Sequence, residues 1–412
     1  MVKVSLIGTC DTKLEELLFL RDAIRRADAG VEVVLIDVGR HQTQHADITL
    51  SRNDLLKMTG NDQSVADLPR GEVIKKMAEC ATVAVQGFLE RDEIQGIIAA
   101  GGSGGTSLAA TVMRNALPIG FPKMIVSTVA SGDTGPIVEE TDITLMYSVV
   151  DIAGLNHVLR TVLNNAGAAI AAMARSYALR SETTSSKKRV GITMFGVTTP
   201  AVDAIRKHLE SHYNIETYVF HATGHGGKAM ERLVRDGSLD AVLDLTTTEI
   251  CDHLTGGVMS AGPNRLQAAS EAGIVNIVSV GATDMSNFGP KATVPQQYKH
   301  RKLYEHNSVV TLMRTSEDEA HEVGTFIAAQ LRAYAKKPEF VEVWLPMGGV
   351  SMISTSDGPF ADEKADAALF GAIKKGLAGS GIKTIEDKRD INDPNFARDI
   401  AEALAKQMAI SQ

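Results

Sequence analysis

Ala99-Ala100-Gly101-Gly102-Ser103-Gly104-Gly105-Thr106-Ser107 follows the apolar run Ile94–Ile98 and leads into a helical stretch that opens near Ser107. Four glycines in five positions let the backbone approach a ligand closely and turn its N–H groups inward. Ser103, Thr106 and Ser107 add hydroxyls. A helix start contributes partial positive charge, so the segment suits a phosphate or another anion. It matches neither familiar phosphate motif. The lysine and spacing of G-x-x-x-x-G-K-[ST] are missing, and Ser107 stands where the dinucleotide fingerprint has Gly or Ala. A plain flexible strand-to-helix connection is the competing reading.

Working outward, the same alternation recurs. Val2–Ile7, Val31–Val38, Ile94–Ala99 and Lys123–Val129 are brief, rich in Val and Ile, and end in Gly, Ser or Asp, as strands do. Between them, Thr12–Ala27 and Gly71–Arg91 carry apolar residues at helical spacing. Continuous apolar strands separated by helices imply a mainly parallel sheet covered on both faces. A long Ala-rich helix is expected over Ala153–Leu179, followed by the polar stretch Ser181–Lys188. Beyond it the pattern restarts with strand Arg189–Phe195, helix Pro200–Ser211 and strands Ile215–His221, Ala241–Leu245, Ile274–Val280 and Val341–Leu345. Helices Lys228–Arg235, Asp318–Ala335 and Asp393–Met408 complete it. The fold class expected is therefore α/β, as two tandem Rossmann-like doubly wound domains over residues 1–180 and 190–412, joined by a linker at 181–189.

Composition bounds the function. The chain has 412 residues, 42 Lys+Arg against 50 Asp+Glu, and a formal net charge of −8. Ordinary proportions of hydrophobic (44%) and charged (22%) residues exclude a disordered or fibrous chain. The negative balance argues against a nucleic-acid partner, which needs clustered Lys and Arg. The opening apolar run is too short for a signal peptide, and Ala166–Ala174 falls well short of a membrane span. Three widely spaced cysteines, Cys10, Cys80 and Cys251, suit a reducing compartment. A cytoplasmic protein with no membrane partner is expected.

In an open parallel sheet, ligands bind beyond the carboxyl ends of the strands. After the first strand comes Gly8-Thr9-Cys10-Asp11-Thr12-Lys13. Thr9 and Thr12 could donate to phosphate, Lys13 could neutralise it, and Asp11 could hold Mg²⁺ or a ribose hydroxyl. Asp11 or Thr12 as a plain helix cap is the alternative. Cys10 is a candidate thiol at a helix start, with no His or Asn partner assignable. Asp37 ends the second strand, where an acidic residue can accept a ribose hydroxyl or simply cap a turn. Ser127–Pro136, with Ser131 and Asp133, forms a third Gly/Ser/Thr loop. In the second half, His221–Lys228 is another Gly-rich turn, and Glu249, Cys251, Asp252 and His253 cluster after a strand. His225, Glu249 and His253 are candidate acid–base residues; no paired spacing supports a zinc site. The loops around Trp344–Ser351 and Ser354–Pro359 are expected to line a common cleft with them.

Taken together, Val4–Lys13, Gly101–Thr106, Ser131–Gly135, Glu249–Gly257 and Trp344–Ser351 carry a resemblance. The chain resembles a family of microbial proteins of uncharacterised function that also includes the N-terminal ATP-binding, inhibitory domain of the tomato mosaic virus resistance protein. The resemblance implies two Rossmann-like subdomains, ATP bound by the first, and a homodimer. It places the nucleotide role on Gly8, Thr9, Cys10, Asp11, Thr12 and Lys13 and on Gly101, Gly102, Ser103, Gly104, Gly105 and Thr106. Three functions stay open: an ATP-binding protein with Mg²⁺, an enzyme acting between the domains on a phosphorylated or nucleotide-linked small-molecule substrate, and an interaction scaffold.

Overall fold

Val2–Gly8 (β1) is buried at every position except Lys3, as befits an apolar strand with helices on both faces. In the computed structural model, which describes residues 1–60, 65–180 and 186–409, the chain forms two units, Met1–Thr183 and Thr184–Gln412. The first continues through α1 (Cys10–Ala27), β2 (Val31–Asp37), α2 (Arg52–Met58), α3 (Arg70–Glu90), β3 (Gly96–Gly101), α4 (Ser103–Ala116), β4 (Lys123–Ser127), α5 (Gly135–Val138), β5 (Thr144–Tyr147) and α6 (His157–Ala178). Its five strands are all parallel and lie in the order β2-β1-β3-β4-β5. Val4, Leu6 and Ile98 pack under Leu17, Leu20 and Ile24 of α1 and Leu163 and Ile170 of α6. On the other face Ile7, Ile97 and Ile125 meet Met77 and Ala81 of α3 and Leu108 and Val112 of α4.

The second unit is built from β6 (Lys188–Met194), α7 (Thr199–His212), β7 (Ile215–His221), α8 (His225–Arg235), β8 (Ala241–Thr246), α9 (Glu249–Thr255), α10 (Ala268–Ala272) and β9 (Val275–Gly281). Then follow β10 (Met285–Phe288), β11 (Leu303–Asn307), β12 (Val310–Arg314), α11 (Glu317–Tyr334), β13 (Val341–Pro346), α12 (Glu363–Leu377), β14 (Lys383–Asp387) and α13 (Pro394–Gln407). Its six-stranded parallel sheet runs β14-β13-β9-β8-β6-β7. Read from β7, the order of its first five strands repeats that of the first unit. An antiparallel sheet, β10-β12-β11, is inserted between β9 and β13.

Both units are thus α/β with doubly wound parallel sheets, as the alternating runs imply. Differences are local. β6 begins at Lys188, so the expected linker is shorter at its far end, while residues 181–185 lie outside the described residues. The sequence reading did not anticipate β5, β14 or the antiparallel sheet. Among the described residues no helix is long and apolar enough to cross a membrane.

Candidate functional site

In the order β2-β1-β3-β4-β5, β1 and β3 are neighbours whose following helices leave on opposite faces, and this reversal opens a crevice beyond their carboxyl ends. A cavity of about 660 Å³ lies there. Thr9, Asp11, Thr12 and Lys13 line it from the turn after β1, and Gly102–Gly105 line it from the turn after β3. Two segments singled out in the sequence, 90 residues apart, therefore share one cavity. Val38, Val73 and Leu108, all nearly buried, form its apolar wall with Ile74.

The floor of the cavity is the start of α4. Some helices of the protein begin with a capping side chain: Asn156 accepts from the Leu159 amide, and Ser316 and Glu319 form a capping box. α4 has Gly102 at its cap and no side chain to serve it. Its first internal bond runs from the Thr106 N–H to the Gly102 carbonyl, 2.8 Å. The amides of Ser103, Gly104 and Gly105 consequently have no acceptor among the described residues, and they sit at the positive end of a 14-residue helix. Glycine suits the strand end, where a Cβ on Gly101 would stand a tight 3.1 Å from the Gly105 Cα.

Thr9 and Thr12 hydroxyls pair at 2.9 Å, and the Lys13 ammonium donates to the Ile152 carbonyl at the cavity edge. Asp11 Oδ2 accepts from the His41 amide at 2.9 Å, while its Oδ1 is enclosed without a partner. The wall from Val38 to His41 and from Arg70 to Ile74 holds three basic residues that sequence motifs did not flag: Arg40, His41 and Arg70. Arg40 donates to the carbonyls of Ala66 and Leu68. Arg70 has no hydrogen-bond or ion-pair partner among the described residues.

Other expected ligand contacts do not line the cavity. Asp37 is fully buried: its Oδ1 accepts from the Cys10 and Gly39 amides, so it braces the turns and does not line the cavity. Burial raises its carboxyl above the ordinary range, against the lowering effect of those two amides. Gly8 and Cys10 are also buried. Enclosure and the neighbouring Asp37 push the Cys10 thiol far up, which removes it as a nucleophile. Thr106 turns inward to Ser127 Oγ at 2.7 Å and ties α4 to β4. Ser131 and Asp133 are exposed and lie off the cavity, Asp133 accepting from the Gly135 amide at the start of α5. From that third loop it is Thr128 that reaches the cavity.

The Gly-rich turn of the second unit is closed from within. Glu249, fully buried, accepts from the Gly224 and Gly227 amides at 2.7 and 3.0 Å, and its other oxygen meets Arg265 Nε at 2.8 Å. Arg265 also donates to Asp244, and those carboxylates hold the buried guanidinium charged although desolvation alone would lower its pKa. An internal carboxylate thus fills the place an anion would take at the start of α8. Glu249 is committed to this network and has no exposed oxygen for acid–base work, which corrects its assignment as a catalytic candidate. His225 stands exposed at the first position of α8, whereas His253 packs edge-on against Phe326 with ring centroids 5.8 Å apart. Beyond β6 and β8, the positions matching the first unit's crevice, Thr198, Thr246, Thr247 and Thr248 are fully buried. Ser351 likewise turns inward to Asp284, so the loop after β13 packs within the unit.

Comparison with known proteins agrees with this division. The N-terminal domain model of the uncharacterised protein family UPF0261 matches residues 2–179, and the family's C-terminal domain model matches residues 187–408. A UPF0261 protein of Clostridium tetani is 43% identical over 410 residues, 98% of this chain and 99% of its own. The tomato (Solanum lycopersicum) ToMV resistance protein Tm-1(GCR237) is 40% identical over 98% of this chain and 55% of its own length. A solved UDP-N-acetylglucosamine 2-epimerase from Listeria monocytogenes aligns over 93% of this chain and 99% of its own at 11% identity, with a TM-score of only 0.22. Matched by both domain models in order and by relatives along almost its whole length, the chain belongs to the UPF0261 family.

Proposed function

We propose that this protein binds ATP in the cavity of the first unit, with the phosphates on the amides of Ser103, Gly104 and Gly105 and the base against Val38, Val73, Ile74 and Leu108. The observation that carries the reading is the uncapped start of α4. Three amides that have no acceptor among the described residues face a cavity of about 660 Å³, beside a guanidinium with no partner among those residues and an apolar wall. The equivalent turn of the second unit, by contrast, already holds a carboxylate. Lys13 would leave the Ile152 carbonyl for a phosphate oxygen. Mg²⁺ would be held by Asp11, whose enclosed Oδ1 has no partner among the described residues and would have to turn toward the cavity, because this ion is held through one or two carboxylates together with phosphate oxygens. The cytoplasmic setting and the homodimer implied by the resemblance complete the proposal.

Thermal unfolding with ATP, ADP, AMP or no nucleotide tests it. At 100 times Kd a ligand adds about 2.7 kcal/mol to the folded state. For a unit of this size that raises the melting temperature by roughly 5–10 °C. No shift with any nucleotide at millimolar concentration would remove the proposal.

A further inference from the structure

Arg70 occupies an unfavourable position for a cation. It is the first residue of α3, a 21-residue helix whose cap, Pro69, provides no side-chain acceptor. Positive charge in a first helical turn opposes the helix dipole and ordinarily destabilises by several tenths of a kcal/mol. Its guanidinium also lies over the start of a second helix: a Cβ built on Gly104 would stand 3.4 Å from Arg70 Nη2 and 3.1 Å from Ile74 Cδ1. Two helix N-termini and a guanidinium therefore converge on one wall of the cavity, and among the described residues no carboxylate or carbonyl answers Arg70. Two other cations of the lining differ. Lys13 is bonded to Ile152 and Arg40 to Ala66 and Leu68.

We propose that Arg70 is a specificity-determining residue that recognises a second or third phosphate, so that the site prefers polyphosphates over a monophosphate. The inference rests on the nucleotide reading of the same cavity and adds which residue counts the charge. The amides of residues 103–105 hold one phosphate at the floor. Arg70, exposed and further out across Gly104, meets the next as a planar, two-pronged donor.

Calorimetric titration of wild type, R70A and R70K with AMP, ADP and ATP tests it, alongside orthophosphate, pyrophosphate and tripolyphosphate. The wild type should bind more tightly as phosphates are added. R70A should weaken ATP and tripolyphosphate roughly 10- to 100-fold, the scale of hydrogen bonds to a charged group, and bring the ATP-to-AMP affinity ratio close to one. R70K, which keeps the charge without the fork, should recover only part of that ratio. Without ligand, the R70A melting temperature should be no lower than wild type, since a cation leaves a helix start. An unchanged ATP-to-AMP ratio in R70A would overturn the assignment of Arg70. If the inorganic polyphosphates bind but AMP, ADP and ATP do not, the ATP reading is removed while Arg70's role stays intact.

Discussion

Removing the Glu249 carboxylate separates a structural ion network from a catalytic group. In E249A the Gly224 and Gly227 amides lose their acceptor and Arg265 loses one of its carboxylates, all within a fully buried site. Taking one partner from a buried ion pair costs about 3–5 kcal/mol. Arg265 retains Asp244, and Glu231 lies 3.5 Å from it, so the lower end, about 3 kcal/mol, applies here. In a unit of this length, Thr184–Gln412, each kcal/mol moves the transition by about 2–4 °C, so the loss should be roughly 6–12 °C. Differential scanning calorimetry of the second unit's transition reads it. E249Q keeps an acceptor oxygen for the two amides and should lose less. Formate, sized for the vacated site, should restore part of the E249A loss. ATP-induced stabilisation of the first unit should persist in both variants. An E249A transition within about 1 °C of wild type would refute the network's structural role. So would an ATP turnover that vanishes in E249A without loss of stability.

Three further outcomes follow from the same geometry. G104V places a branched side chain against Ile74 and Arg70 at the mouth of α4 and should abolish the ATP-induced melting shift of roughly 5–10 °C without unfolding the first unit; an undiminished shift would contradict the proposed phosphate position. Asp284 is fully buried, and burial raises its carboxyl to about 7 although Arg314 and Ser351 act in the opposite direction. Its folded pKa lies above the unfolded value near 4, so the contribution of Asp284 to stability falls as pH rises from about 4 to 7, by at most about 1.4 kcal/mol per pH unit, and then levels. D284N should flatten that part of the pH profile of thermal unfolding, and a profile identical to wild type would count against it. Finally, Cys10, Cys80 and Cys251 are all buried and free, and alkylation of the native protein should modify none of them until denaturant is added; rapid modification of Cys10 would overturn the reading of it as an inert core thiol.

The parts of this protein legible in its sequence are those set by local rules. Apolar runs of six or seven residues separated by amphipathic stretches give the parallel sheets, and the glycines at 101–105 mark the strand-to-helix crossover because few other residues permit so close an approach. Gly8–Lys13 and Gly102–Gly105 meet at one cavity because β1 and β3 are neighbours, a consequence of strand order and not of any motif. What escaped the sequence depends on long-range packing. Arg70 follows the sheet's second strand by more than thirty residues, and only the fold of that excursion brings it over Gly104. Glu249 and the Gly224–Gly227 turn looked like one polar cleft because a carboxylate near a Gly-rich loop reads the same whether it awaits a ligand or replaces one. Burial decides between these, and burial of a single glutamate is not encoded by its neighbours. The antiparallel β10-β12-β11 sheet was hidden for a similar reason: Leu303–Asn307 is mostly polar and exposed, so it lacks the apolar signature of the central strands.

The proposal of an anion-binding cavity at the start of α4 is tested most directly by a crystal structure of the protein grown with a non-hydrolysable ATP analogue. Phosphate oxygens should lie within hydrogen-bonding distance of the Ser103, Gly104 and Gly105 amides, with the adenine against Val38 and Leu108. An empty cavity at millimolar nucleotide, or a nucleotide bound only in the second unit, would contradict it.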